Sequence, residues 1–116
     1  MGRSTCADEV SVPEIVARGL DRVHVSQRRA MRMCDVPGSR GEALARLGEL
    51  YRREARWWDV LANWVYSPRG DATSLVFGRA VIAAHRSALE FARHYDEHAA
   101  SARRRAALDP ALGVVA

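Results

Sequence analysis

Between Ser39 and Tyr66 the apolar residues recur with the 3.6-residue period of an α-helix, and nowhere in the chain do they alternate with the period of a strand. Turned at about 100° per residue, Leu44, Leu47, Leu50, Tyr51, Ala55, Trp57, Trp58, Leu61, Ala62, Trp64 and Val65 fill an arc of roughly 180°. Arg46, Glu49, Arg52, Arg53, Arg56 and Asp59 take the other side. Pro37-Gly38 breaks the chain ahead of this segment, and Ser39 followed by Glu42 has the spacing of a capping box. Ser67-Pro68-Arg69-Gly70-Asp71 supplies turn chemistry at its end. A helix of roughly 40 Å is therefore expected over about 39–66.

Two further segments carry the same period. From about Ala72 to about Leu108, one arc collects Leu75, Phe77, Val81, Ile82, Ala84, Ala88, Leu89, Phe91, Ala92, Tyr95 and Ala99. Its alanines suit close approach to the bulky Trp face. From Ser11 to Cys34, Ser11 and Glu14 form a second capping-box pattern, Pro13 sits in the first turn, and Val16, Leu20, Val23, Ala30, Met31 and Cys34 make the apolar side. Gly19 and the stretch Val23-His24-Val25-Ser26 weaken helix propensity and mark a place for a kink.

Short connections between such helices make neighbours antiparallel. The expected architecture is all-α, an antiparallel three-helix bundle over about 11–34, 39–66 and 72–108, with loose termini. At 116 residues, 48% hydrophobic and 28% charged, the chain reads as one domain (1–116) with enough apolar surface for a core. No apolar run is long enough to span a membrane, and no signal-peptide pattern opens the sequence. Cys6 and Cys34 have neither metal nor redox spacing, so a reducing cytoplasm is the expected setting.

Glu54 is the residue that violates the pattern, since it falls near the middle of the apolar arc. A carboxylate there needs a partner. If antiparallel positions sum to about 138–140, as a short turn implies, His85 of the last helix faces Glu54, and His24 of the first helix comes within about one turn. Enzymes use such a carboxylate to orient a histidine for general-base work. No nucleophile or Gly-rich phosphate loop is expected near the pair, so it reads as a buried polar pair that fixes helix register.

The formal charge is +4, and every basic residue is Arg, a bias that a GC-rich bacterial genome produces by itself. Distribution is more telling than total. On the middle segment Glu42 precedes Arg46 and Glu49 precedes Arg53 at the favourable four-residue spacing. On the first segment Arg18, Arg22, Arg29 and Arg32 lie within roughly 80° of one another with Arg28 beside them, and Asp21 is their sole acidic neighbour. These five arginines are the candidate surface for a nucleic-acid backbone or an acidic protein partner. The Trp arc is wider than one member of a three-helix core needs, which makes Trp57 and Trp64 candidate interface residues in a homo-oligomer or larger complex.

Four local patterns complete the inventory. Arg93-His94-Tyr95-Asp96-Glu97-His98 resembles the motif of HEPN ribonucleases, small helical dimers in which an Arg and a His act in RNA cleavage at the dimer interface; the resemblance implies a catalytic role for Arg93 and His98. Val25-Ser26-Gln27-Arg28-Arg29-Ala30-Met31 is similar to a helix-turn-helix recognition helix, although His24 stands where the turn glycine belongs. Glu90, His94 and His98 recur every four residues but offer too few ligands for a metal site, and no metal or cofactor is expected. Arg103-Arg104-Arg105 has the charge to touch phosphate at a helix end. In size, charge and helix content the chain is similar to the helical small subunits of CRISPR effector complexes. The expected function is a non-enzymatic basic helical subunit or binding module, with the HEPN-like ribonuclease as the alternative.

Overall fold

The computed structural model describes residues 11–68 and 75–108. They form three α-helices, α1 (Val12–Met33), α2 (Arg40–Val65) and α3 (Leu75–Leu108), with no strand among the described residues. The expected loose termini, Cys6, and the segment 69–74 lie outside them. Among the described residues no helix is long and apolar enough to cross a membrane.

Ser11 caps α1 as the sequence requires. Its Oγ accepts from the Glu14 N–H at 3.3 Å and donates to Glu14 Oε1 at 3.2 Å. Ser39 does not cap α2. Its backbone already sits in the helical region (φ −107°, ψ −5°), and its side chain makes no cap hydrogen bond. A capping hydroxyl reaches the first free N–H groups from an extended backbone, and the Pro37-Gly38 turn leaves Ser39 without one. Gly38 takes φ 82° in that turn, a conformation a side chain would resist. At the far end of α2 the Tyr66 N–H donates to the Ala62 carbonyl, and Ser67 Oγ donates to the Trp64 carbonyl at 2.6 Å.

The weak stretch at Val23–Ser26 does not break the first helix, which runs without interruption from Val12 to Met33. Gly19 answers a packing demand instead: a Cβ there would lie 2.1 Å from the Trp57 ring of α2. The same continuity removes the turn that a helix-turn-helix would need around His24.

The helices form an antiparallel three-helix bundle with α2 in the middle. Both α1 and α3 pack along α2, while no Cα of α1 comes within 8 Å of a Cα of α3. Tyr66 sits against Gly78 and Gly48 against Asp96, so facing positions in α2 and α3 sum to about 144. This register differs from the expected 138–140 by about one helical turn; the expected start of the last helix at Ala72 lies outside the described residues. Glu54 therefore lies level with Glu90, and His85 is carried more than a turn away.

The apolar core has two parts. Val16, Leu20, Leu61, Val65 and Val81 form one, with Trp57, Trp58 and Trp64 packed around it. Ala30, Leu47 and Leu50 form the other, with Tyr51 and Tyr95 at its edge. Glu54 lies between them along α2. On α3 the buried positions are small, namely Gly78, Val81, Ala88, Ala92 and Ala99. The larger residues expected in the same packed arc flank this strip and stay exposed: Leu75 62%, Phe77 45%, Ile82 41%, Leu89 42% and Phe91 47%. A close small-residue seam against α2 covers the middle of the arc and leaves both margins open.

Candidate functional site

The outer face of α1 follows from what its inner face buries. Val16, Gly19, Leu20, Val23, Gln27 and Ala30 are turned onto α2. Arg18, Arg22, Arg28, Arg29 and Arg32 lie about 110–170° from the centre of that face, and all five are exposed. Arg18 to Arg32 spans roughly 21 Å of helix axis. Among the described residues none of the five has an ion-pair partner, and Asp21 holds none of them.

Three of the five arginines of α2 are in a different state, while Arg40 and Arg56 are exposed and have no ion-pair partner among the described residues. Glu49 binds Arg46 at 2.9 Å and Arg53 at 3.0 Å, and Asp96 of α3 binds Arg52. The Glu49–Arg53 pair is the one expected from spacing, whereas Arg46 turns forward to Glu49 rather than back to Glu42. Beside the α1 arginines an open groove of about 380 Å³ runs along the α1–α2 seam, with Arg22 and Arg53 on its rims and Val23, Leu50 and Trp57 in its floor.

Behind this surface Glu54 holds α1 to α2. Its Oε1 accepts from Gln27 Nε2 at 2.9 Å and its Oε2 accepts from the Trp58 indole N–H at 3.0 Å. His24 Nε2 lies 3.5 Å from Oε1, and the Glu54 side chain is 15% exposed. The approach of His24 was expected, but the pairing of Glu54 with His85 is corrected. No hydrogen bond or ion pair joins the two, because the α2–α3 register places Glu54 level with Glu90. Gln27 was missed, although a lone amide inside the apolar arc of α1 was the signal for it. Trp58, one turn from Glu54 on the same helix, was readable as a donor from spacing alone.

Tyr51 adjoins this cluster and stacks on Tyr95 with ring centroids 5.5 Å apart. Burial raises the pKa of its phenol above 10.0, and the neighbouring Tyr95 and the Glu54 charge push it the same way. The carboxylate is thus held by neutral donors, an arrangement that positions two helices.

The remaining expectations fall in several places. Trp57 and Trp64 are half-buried and packed on the chain's own core, Trp57 over Gly19. Arg93 and His98 are exposed on one continuous helix, where they diverge by about 140° and share no cleft within the chain. His94 and His98 meet edge to face with centroids 4.3 Å apart. Among the described residues no group of three or more His, Cys, Asp or Glu converges as metal ligands do. Arg103, Arg104 and Arg105 are exposed near the end of α3, with Arg104 donating to Ser101 Oγ at 3.1 Å. No protein-family model, curated protein or solved structure matches this chain.

Proposed function

We propose that the chain is a non-enzymatic helical binding module of a nucleoprotein assembly, and that it lays the outer face of α1 along a phosphate backbone. The observation that carries this reading is that all five α1 arginines are exposed on one helix with no ion-pair partner among the described residues, whereas Arg46, Arg52 and Arg53 of α2 are paired within the chain. Arg46, Arg52 and Arg53 are already partnered within the chain, whereas Arg18, Arg22, Arg28, Arg29 and Arg32 have their full charge available to an external anion. A straight helix presents them as a row that follows phosphates without entering a groove, so contact is with the backbone and carries no base readout.

The binding should be independent of sequence and steeply dependent on salt. If all five arginines engage duplex phosphates, the slope of log K against log salt is about −4 to −5. Fluorescence anisotropy on random-sequence DNA and RNA between low and physiological salt measures it. Each Arg→Ala change on the face should reduce the slope by about one charge. A slope that the five substitutions leave unchanged, or no binding at low salt, contradicts the reading and turns attention to an acidic protein partner.

A further inference from the structure

We infer that the groove along the α1–α2 seam seats an unpaired base, so that the polymer lying on the α1 arginines is a single strand of nucleic acid. The inference rests on the phosphate reading and adds to it the class of strand.

Two small residues open the groove. Gly19 and Ser26 stand on the seam side of α1, about two turns or 10 Å apart along the axis. Between them Val23, together with Leu50 and the Trp57 indole of α2, makes an apolar floor. The groove volume, about 380 Å³, is on the scale of a small-molecule site. The half-buried Trp57 ring meets α1 at Gly19, where a Cβ would collide with it, so no side chain at that position fills the space.

The polar groups around this floor are donors. Arg22 stands on one rim with no ion-pair partner among the described residues, and Arg53 on the other is held by Glu49 at 3.0 Å. The Ser26 hydroxyl and the Trp57 indole N–H make no hydrogen bond among the described residues. No buried side-chain nitrogen or oxygen there lacks a partner, so both groups are open to solvent. No carboxylate lines this groove. Three other surface grooves each carry one: Glu42 beside the α1–α2 turn, Glu90 beside Phe91, and Asp21 on the outer side of α1.

An apolar floor with free donors and an unpaired cation at its rim calls for a flat apolar group joined to an anion. A nucleotide has that composition. Bases stack on aromatic side chains whatever their identity, and the edge of every base offers acceptors to the two donors. Arg18 lies one turn before Arg22 and Arg29 two turns after it, about 6 Å and 10 Å along the axis, so the phosphates flanking a seated base find further cations. A duplex keeps its bases stacked and paired inside, and turning one out has a cost that a single strand does not bear.

Anisotropy titrations of the full chain at low salt compare an oligo-dT decamer with a decamer of abasic spacers that carries the same phosphates. Oligo-dT should bind about tenfold more tightly. Ser26→Leu fills the groove from the helix surface, and should remove that advantage while the abasic affinity and the helical circular dichroism stay as they were. On the unmutated chain the Trp57 indole N–H resonance, assigned with Trp57→Phe, should shift on adding oligo-dT. The abasic strand and an oligo-dT·oligo-dA duplex should leave it in place. Equal affinity for the two single strands overturns the seating of a base and leaves the phosphate reading standing. So does an advantage that Ser26→Leu preserves, or a Trp57 resonance that the abasic strand moves as far. If neither strand binds, both readings fall.

Discussion

The two seams of α2 are built differently, and the surfaces outside them differ accordingly. Against α1, α2 presents the bulky Trp57 over Gly19 and the Glu54 carboxylate bound to Gln27, so the seam mixes large rings with a polar contact of defined geometry. Against α3 it meets a strip of Gly, Ala and Val, and the polar contact, Arg52 with Asp96, lies at the exposed edge. On α1 the residues turned onto α2 leave the arginines exposed together with Ile15, Val25, Met31 and Met33. A helix that packs through its small residues, as α3 does, leaves Phe77, Leu89 and Phe91 outside.

One pair of matched substitutions tests that difference most severely. Gly19→Ala places a Cβ 2.1 Å from the Trp57 ring, a rigid group wedged in the core. It should cost about 1–3 kcal/mol net, even though alanine itself favours a helix by about 1 kcal/mol over glycine. Gly48→Ala meets the Asp96 carboxylate at the same 2.1 Å, but that group is the free end of an exposed side chain and can swing away. The loss of an exposed pair with Arg52 is roughly offset by helix propensity, so the urea midpoint should barely move. Equal losses at the two positions would erase the distinction between the seams.

A somewhat smaller effect is expected at Glu54. Glu54→Leu orphans the Gln27 amide and the Trp58 indole N–H, and should cost about 1–2 kcal/mol. Adding Gln27→Leu removes one of the abandoned donors and should recover part of the loss. A double-mutant cycle by denaturant unfolding checks this. Additive losses would mean that the contact does not hold the register.

The smallest effect concerns pH. The raised pKa of Tyr51 means that the folded chain keeps a proton that the unfolded chain releases near pH 10.0. Stability contributed by this group is intact below that pH and falls as the pH rises through the unfolded value toward the folded one. Tyr51→Phe should flatten the decline, as alkaline unfolding curves for both proteins would show. Parallel curves would remove burial of the phenol from the account.

Much of this fold is legible in the sequence because period and punctuation are local. The helix ends fall within three residues of where Ser11, Pro37-Gly38 and Ser67-Pro68 place them. The α2–α3 register is not legible in the same way, because it is set by which side chains interlock across the seam, Tyr66 at Gly78 and Asp96 at Gly48, and no local signal encodes that. That register carries His85 away from Glu54. Nor does a helical wheel say which part of a wide arc a neighbour covers. Leu75, Phe77, Ile82, Leu89 and Phe91 share the arc with Ala88 and Ala92, and only the close approach of α2 decides that the small residues are buried. The α1 arginines were legible as a row, since the apolar positions of that helix leave them no other side. That they are unpaired is a property of the packed molecule.

The direct test of the central claim is charge reversal on that row. Arg22→Glu with Arg29→Glu should abolish binding to random-sequence DNA and RNA at low salt while the thermal midpoint of the chain hardly changes, because both side chains are exposed and form no ion pair among the described residues. Undiminished binding by this variant would contradict the account.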